Sequence, residues 1–456
     1  MRLTALFKLL FTTLLIFCCI VLYAQHKYSP GALKQDITFI KQQIFDAHAN
    51  PFTELTRDQY SQVFTNMEAQ ITDSLTTAEF YKIVKPAVAW LSDEHAAISL
   101  PDSMEVFDTT DMLPPFTLAI KGSEYVIDDV FGQNNAIKPG DIIKQVNNMA
   151  IKALVQKNAA FTTGYPNQRL AKGMQYFGYL YGFGNKLITT YTITLQNGKT
   201  ATLQGVSPTL WQAYINKNTR AGGLCNKKIS YTKYGHTGYI NACTFSTHNN
   251  EDIAWFQHAI DSIFDKIQED GVTKLIIDAS RNSGGNSGIG DMLIAHFYNK
   301  PYRTYQCNWR RSDEYLETIK RWGINNDEYA QKKPGDILHY DSDTITPATN
   351  GSFFNGKVYI VIGDGTFSSA IMFATIIKDN HIATLVGQTP RDGHPTHFGE
   401  LYAAKTPNTH LQIRFGVKEW IRPAGETGNN TLQPDIELQI TDPINIAAVE
   451  HDTTAK

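Results

Sequence analysis

Residues 274–285 read KLIIDASRNSGG, and this stretch decides the class of fold. Leu275, Ile276 and Ile277 make a short unbroken apolar run, the pattern of a strand buried on both faces. A polar turn ending in Gly284 and Gly285 follows it directly. Upstream, residues 252–268 set Ile253, Phe256, Ile260 and Ile267 on one helical face. Downstream, a strand over 358–362, a helix over 369–378 and a strand over 383–386 continue the alternation. Strands alternating with helices predict an α/β layer with parallel strands. In such a layer reactive groups gather beyond the carboxyl ends of the strands.

The rest of the chain differs in pattern. Residues 30–104 read as helices, with Leu33, Ile37, Ile40 and Ile44 on one face and capping-box patterns at Thr56–Gln59 and Thr76–Glu79. Residues 112–206 read as short β runs, with a turn at Lys138-Pro139-Gly140-Asp141. Gly164–Gly184, rich in Gly, Tyr and Asn, reads as a mobile loop, and the polar stretch 300–350 as lying outside the core. The whole predicts a multi-domain α/β protein: a signal peptide over 1–24, a helical region over 25–107, a β domain over 108–207 and the α/β core over 225–445.

The first segment places Arg2 and Lys8 before an apolar run, Leu9–Tyr23, with Ala24 for cleavage. That is the form of a secretory signal, shorter than the ~20 residues of a membrane span. It predicts an exported protein, periplasmic or extracellular, with no stable membrane span after cleavage. With 41 basic and 44 acidic side chains the net charge is -3, so nothing electrostatic argues for a nucleic-acid partner. Cys225, Cys243 and Cys307 follow the signal. They allow at most one bridge, too few for a disulfide scaffold.

Two strand ends carry the candidate chemistry. Gly284 and Gly285 permit close approach of backbone N–H groups to an anionic oxygen, as an oxyanion hole requires. The second stretch, residues 358–370, reads VYIVIGDGTFSSA. Ser368 and Ser369 fall on its turn, where a helix N-terminus favours a developing anion. An N-cap serine is the structural alternative. A serine nucleophile needs a base, and spacing alone selects none of the 13 histidines. His394 and His397 raise a metal hydrolase as a third possibility, without an HExxH pattern to support it.

Taken together these segments resemble the C-terminal processing (tail-specific) serine peptidase family. The carriers are Leu275–Asp278 with Asn282–Gly285, Thr366–Ala370, Leu385–Thr389, Pro434-Asp435-Ile436 and Leu91–His95 with its Asp-x-His pattern. Lys138–Ile143 is similar to the carboxylate-loop side of a PDZ-like module. The resemblance implies a PDZ-like domain and a core of the ClpP/crotonase-like type. It implies a serine endopeptidase acting on protein or peptide substrates through an acyl-enzyme on Ser368, with no metal or organic cofactor. Many members use a Ser–Lys dyad, but Gly387–Gly393 has no lysine, and Lys378 and Lys405 have structural readings. The match is therefore to the tricorn-core-like branch with a Ser/His/Glu site. That implies His95 as base, Glu426 as its orienting carboxylate, and N–H groups of Gly284 or Gly285 and Ser369 as the oxyanion hole. Pro139, Gly140, Asp141 and Ile142 would bind the substrate end. Ile371 stands where many relatives have Glu. That departure and the missing lysine keep open an inactive relative that binds peptides or an apolar ligand, in the PDZ-like groove or among Tyr176, Phe177, Tyr179 and Tyr181.

Overall fold

A computed structural model describes residues 26–102, 104–132, 134–219, 227–348, 351–425 and 431–439. The expected signal segment, Cys225 and Glu426 lie outside the described residues. The first helices among the described residues are α1 (Pro30–Ala47), α2 (Arg57–Ala69) and α3 (Thr77–Val84). Thr56 and Thr76 close the capping boxes of α2 and α3 with Gln59 and Glu79, satisfying N–H groups that a helix start leaves orphaned. A 3₁₀ turn, Lys85–Leu91, ends at Ser92 in left-handed conformation, and strand β1 (Ala97–Ser99) follows.

The middle region holds β2 (Phe116–Lys121), β3 (Glu124–Val130), β4 (Ile143–Val146), α4 (Ile151–Ala159), α5 (Pro166–Gln175), α6 (Phe177–Gly184), β5 (Thr190–Leu195) and β6 (Thr200–Gln204). It closes on its own core of Phe116, Ile143, Val146, Leu154, Phe177, Tyr191 and Ile193. The stretch 164–184, expected as a mobile loop, is the two helices α5 and α6. Its glycines serve packing: a Cβ on Gly178 would lie 1.9 Å from the Pro114 carbonyl oxygen, and one on Gly182 2.6 Å from the Phe107 ring. Phe177 and Tyr181 are buried, so these aromatics are packing residues.

The remaining chain runs β7 (Ser230–Tyr234), β8 (Thr237–Asn241), α7 (Asn250–Asp270), β9 (Lys274–Asp278), α8 (Gly288–Ala295), β10 (Gln306–Arg310) and β11 (Ile337–Tyr340). It continues through β12 (Lys357–Ile362), α9 (Ser369–Asp379), β13 (Thr384–Gly387), β14 (His397–Lys405), β15 (Gln412–Ile421) and β16 (Ile436–Glu437). The main sheet has the order β7-β8-β9-β12-β13-β16, antiparallel only at β7/β8. Leu275 and Ile277 pack under α7, α8 and α9, while Ile276 meets Tyr239, Val361 and Val386 on the other face. The unbroken apolar run is thus buried on both sides.

A second sheet has the order β11-β10-β15-β14, and β1 pairs with the N-terminal half of β15. Two of its strands come from the 300–350 stretch, which therefore belongs to the fold. Cys307, Trp309 and Leu338 pack with Ile37, Ile40, Phe64, Ile413 and Phe415, so the N-terminal helices and the second sheet share one core.

One ion pair joins the middle region to the N-terminal helices. Arg169 of α5 grips Glu54 through two hydrogen bonds, 2.6 and 2.7 Å, and Glu54 also accepts from Ser92 Oγ at 2.7 Å. Both partners are largely buried, so removing one strands the other's charge. Arg169→Leu should destabilise the protein by about 3 kcal/mol in urea unfolding. Adding Glu54→Leu should recover part of that loss; a single variant as stable as wild type would contradict the reading.

Candidate active site

Strands β9 and β12 are parallel neighbours, so the turns after them leave the sheet side by side. Hydrogen bonds cross between the two turns. Thr366 Oγ1 donates to Ala279 O (2.8 Å), Gly365 N–H to Ser280 O (2.9 Å) and Phe367 N–H to Asn282 O (3.0 Å). Asn282 is fully buried; its Nδ2 donates to Ala242 O and its Oδ1 accepts from Gly284 N–H at 2.8 Å. Phe245 closes the outer side, its N–H on Gly284 O and its carbonyl accepting Asn286 N–H. Cys243, in the adjoining segment, is disulfide-bonded.

Ser368 is forced into φ 52°, ψ −125° at the point where the chain turns from β12 into α9. A non-glycine residue there costs about 1–3 kcal/mol and persists only when its surroundings impose it. The sharp turn resembles the strained strand-to-helix elbow that exposes a nucleophilic serine. Ser368 is half-buried. A Cβ on Gly284 (φ +95°) would lie 2.7 Å from Ser368 Cβ and 2.8 Å from Ser369 N, so no side chain fits beside the serine. Ser369 Oγ donates to Gly285 O at 2.6 Å. The structure thus brings Ser368, Ser369, Gly284 and Gly285 together. Gly284 N–H is spent on Asn282, whereas Gly285 and Ser369 N–H donate to no other described residue.

His95 reaches this turn from the N-terminal region. Its ring lies against Phe367, the residue before Ser368, with centroids 4.6 Å apart. Its loop is pinned by the β1–β15 pairing, by Arg414 Nε on His95 O (3.3 Å) and by Ser92 on Glu54. Asp93, fully buried, accepts His95 N–H at 2.7 Å and Gly416 N–H at 2.8 Å. His95 Nδ1 is 3.7 Å from its Oδ1, and His48 Nε2 is 3.4 Å from its Oδ2. Burial alone would raise the Asp93 carboxyl, but the two imidazoles outweigh it and hold the group well below the usual carboxylate range.

Other singled-out residues fall into clear places. His394 stacks on Tyr165 (4.1 Å) and its Nδ1 meets Thr396 O. His397 is buried, its ring 6.2 Å from that of His95. Burial and the neighbouring His95 push it down to about 3, so it is a neutral imidazole donating Nδ1–H to Pro395 O. Lys378 pairs with Asp435 at 2.7 Å, and Asp435 also receives Leu385 N–H. The Pro-Asp motif therefore ties the helix after the Ser368 turn to β13. Lys405 ends β14, and Ile371 is core.

The Lys138–Asp141 turn spends its amides internally. Lys138 N–H bonds Asp141 Oδ2, Gly140 N–H bonds Ile127 O and Asp141 N–H bonds Lys138 O. Those three N–H groups are not free to receive a carboxylate, and Ile142, next in the chain after Pro139, Gly140 and Asp141, bridges to Val126 and accepts Gln196 N–H on its carbonyl. A cavity of about 460 Å³ lies between α8, α9 and the second sheet, lined by Ser287, Tyr305, Trp309, Met372, Phe373 and Trp420 among others. Met372 N–H donates to Ser368 O (3.0 Å) and Ser287 follows the glycine turn, so the cavity adjoins both strand-end turns. No local pattern announces this cavity, because its walls come from elements about 130 residues apart.

Residues 236–438 match peptidase family S41. Comparison with the curated proteins gave no match. The fold is similar to that of mature CPAF, at 14% identity over 91% of this chain and 94% of that one, with a TM-score of 0.56. Mature CPAF complexed with lactacystin gives 15% identity, 91% and 95% coverage, and a TM-score of 0.57. The photosystem II D1 C-terminal processing protease matches at 15% identity over 90% and 93%, with a TM-score of 0.40.

Two consequences are measurable. Gly284→Ala must push on Ser368 and Ser369, so it should cut the turnover of any reaction run at this turn at least tenfold while Tm falls only a few degrees. Turnover equal to wild type would show that the close approach is unimportant. Glu94, beside His95, has both carboxylate oxygens shielded although the residue as a whole is half-buried. Burial, then repulsion from Asp93, push its carboxyl up to about 8 from an ordinary 4.5. The fold prefers the protonated form, so stability is full below pH 4.5 and is lost as pH rises towards about 8. Glu94→Gln should therefore raise Tm more at pH 9 than at pH 4; an equal shift at both would contradict the assignment.

Proposed function

We propose, on the premise that the chain belongs through residues 236–438 to peptidase family S41, that it is an exported endopeptidase working through an acyl-enzyme on Ser368. Membership makes the chain a serine-type peptidase, and proteins or peptides are its substrates. The observation that carries the site assignment is the strained conformation of Ser368 on a turn packed against Gly284. In the reaction Ser368 Oγ attacks the scissile carbonyl while His95 takes the hydroxyl proton. The carbonyl oxygen becomes anionic beside Gly285 and Ser369 N–H, which donate to no partner among the described residues. His95 then returns the proton to the leaving amine, and water repeats the cycle to free the acyl group. Among the described residues no helix is long and apolar enough to cross a membrane; export rests on the form of segment 1–24.

The cavity beside Met372 and Ser287 would take an apolar side chain of the substrate next to the scissile bond. Lys378 is engaged with Asp435, so it is not the base. The test is hydrolysis of an unfolded protein with the cut sites mapped. Ser368→Ala should lose about 10⁶-fold in kcat with Tm unchanged, Lys378→Ala and Lys405→Ala should keep activity, and cuts should favour large apolar neighbours. Equal hydrolysis by wild type and Ser368→Ala would overturn the assignment. Cuts favouring acidic residues would overturn the pocket.

A further inference from the structure

We propose that Asp93 is the carboxylate that orients His95, and that His48 is a second positioning residue fixed behind it, giving a relay Ser368–His95–Asp93–His48. The inference rests on the peptidase reading above. Asp93 sits fully buried between the two imidazoles, 3.7 Å from His95 Nδ1 and 3.4 Å from His48 Nε2. Neither nitrogen has a hydrogen-bond partner among the described residues. A buried imidazole nitrogen without a partner is costly, and the carboxylate lies nearest to both. Catalytic hydrogen bonds are often long in the free enzyme and tighten with substrate bound.

The tautomer of His48 is fixed by its surroundings. Its Nδ1 accepts the Asn50 N–H at 3.1 Å, so in the neutral ring the proton is on Nε2, facing Asp93. The ring is wedged against Phe398 (4.7 Å) and Phe415 (5.6 Å) and cannot turn away. Asp93 in turn receives the His95 and Gly416 amides, one on each oxygen. An anion held this way fixes the Nδ1–H form of His95 and steadies the imidazolium that forms when Ser368 attacks. The groups facing this relay are Glu94 on its own loop, His397 on β14, Arg414 on β15 and Phe367 on the nucleophile turn.

The experiment compares His48→Phe, His48→Gln and Asp93→Asn in the full chain, reading kcat, KM, Tm and the pH profile on one fluorogenic peptide. His48→Phe keeps the ring between its aromatic neighbours but removes the donor. It should lower kcat about 10- to 100-fold with KM unchanged, and His48→Gln, which restores a donor, should recover most of that. Asp93→Asn should lose about 10⁴-fold and move the acid limb of kcat/KM to lower pH, because the imidazolium loses its anion. Wild-type kcat in His48→Phe, or equal losses in His48→Phe and His48→Gln tracking Tm, would overturn the inference. Should Asp93→Asn fail to fold, the His48 pair still decides. A larger kcat loss in Glu426→Gln than in Asp93→Asn would move the orienting role to Glu426. A wild type that hydrolyses nothing would overturn the peptidase reading and this inference with it.

Discussion

The site depends on hydrogen bonds shared between two turns that leave adjacent parallel strands. Thr366, Asn282 and the backbone of Ala279 and Ser280 satisfy one another across the gap, so neither turn can relax without unsatisfying the other. Buried polar groups left unpaired cost about 1–3 kcal/mol each, comparable with the strain held at Ser368. That exchange keeps a serine in a conformation it would otherwise leave. The glycine at 284 is required because the approach leaves no room for a Cβ.

The second constraint is the path by which His95 arrives. It comes from a loop about 270 residues earlier in sequence, and it is held by the β1–β15 pairing, Arg414 on His95 O, Asp93 on Gly416 N–H, and Ser92 on Glu54. Glu54 is itself gripped by Arg169 of the middle region. The middle region therefore bears on the position of His95 although it supplies none of the proposed catalytic groups.

Much of the main sheet was legible because its signals are local. The run Leu275–Ile277, the helix over 252–268 and the capping boxes at Thr56 and Thr76 need no distant partner to be recognised. Ser368, Gly284 and Gly285 stood out for the same reason, as turns following buried strands. What escaped was set by distance. Strands 306–310 and 337–340 read as polar because only alternate residues, Cys307, Trp309 and Leu338, are buried, and the strand that ties this pair into the sheet, Gln412–Ile421, lies about 100 residues on from the first of them. Helices 166–175 and 177–184 were hidden by glycines that serve close packing, Gly173 on Val155 and Ala159, Gly178 on Pro114 and Gly182 on Phe107. His48, a lone histidine at a helix end, carries no pattern that points to Asp93. The Lys138–Ile143 segment resembles the carboxylate-loop side of a PDZ-like module, and the amides of Lys138, Gly140 and Asp141 are occupied within the turn and by Ile127.

The central claim is that Ser368 is the group that becomes acylated. Covalent labelling with a fluorophosphonate, followed by peptide mapping by mass spectrometry, tests it directly, since the reagent marks only a serine activated by a neighbouring base. One adduct per chain is expected, on the peptide carrying Ser368, formed by wild type and lost when the protein is unfolded first. An adduct on another residue, or none on a folded protein that still hydrolyses peptides, would contradict it.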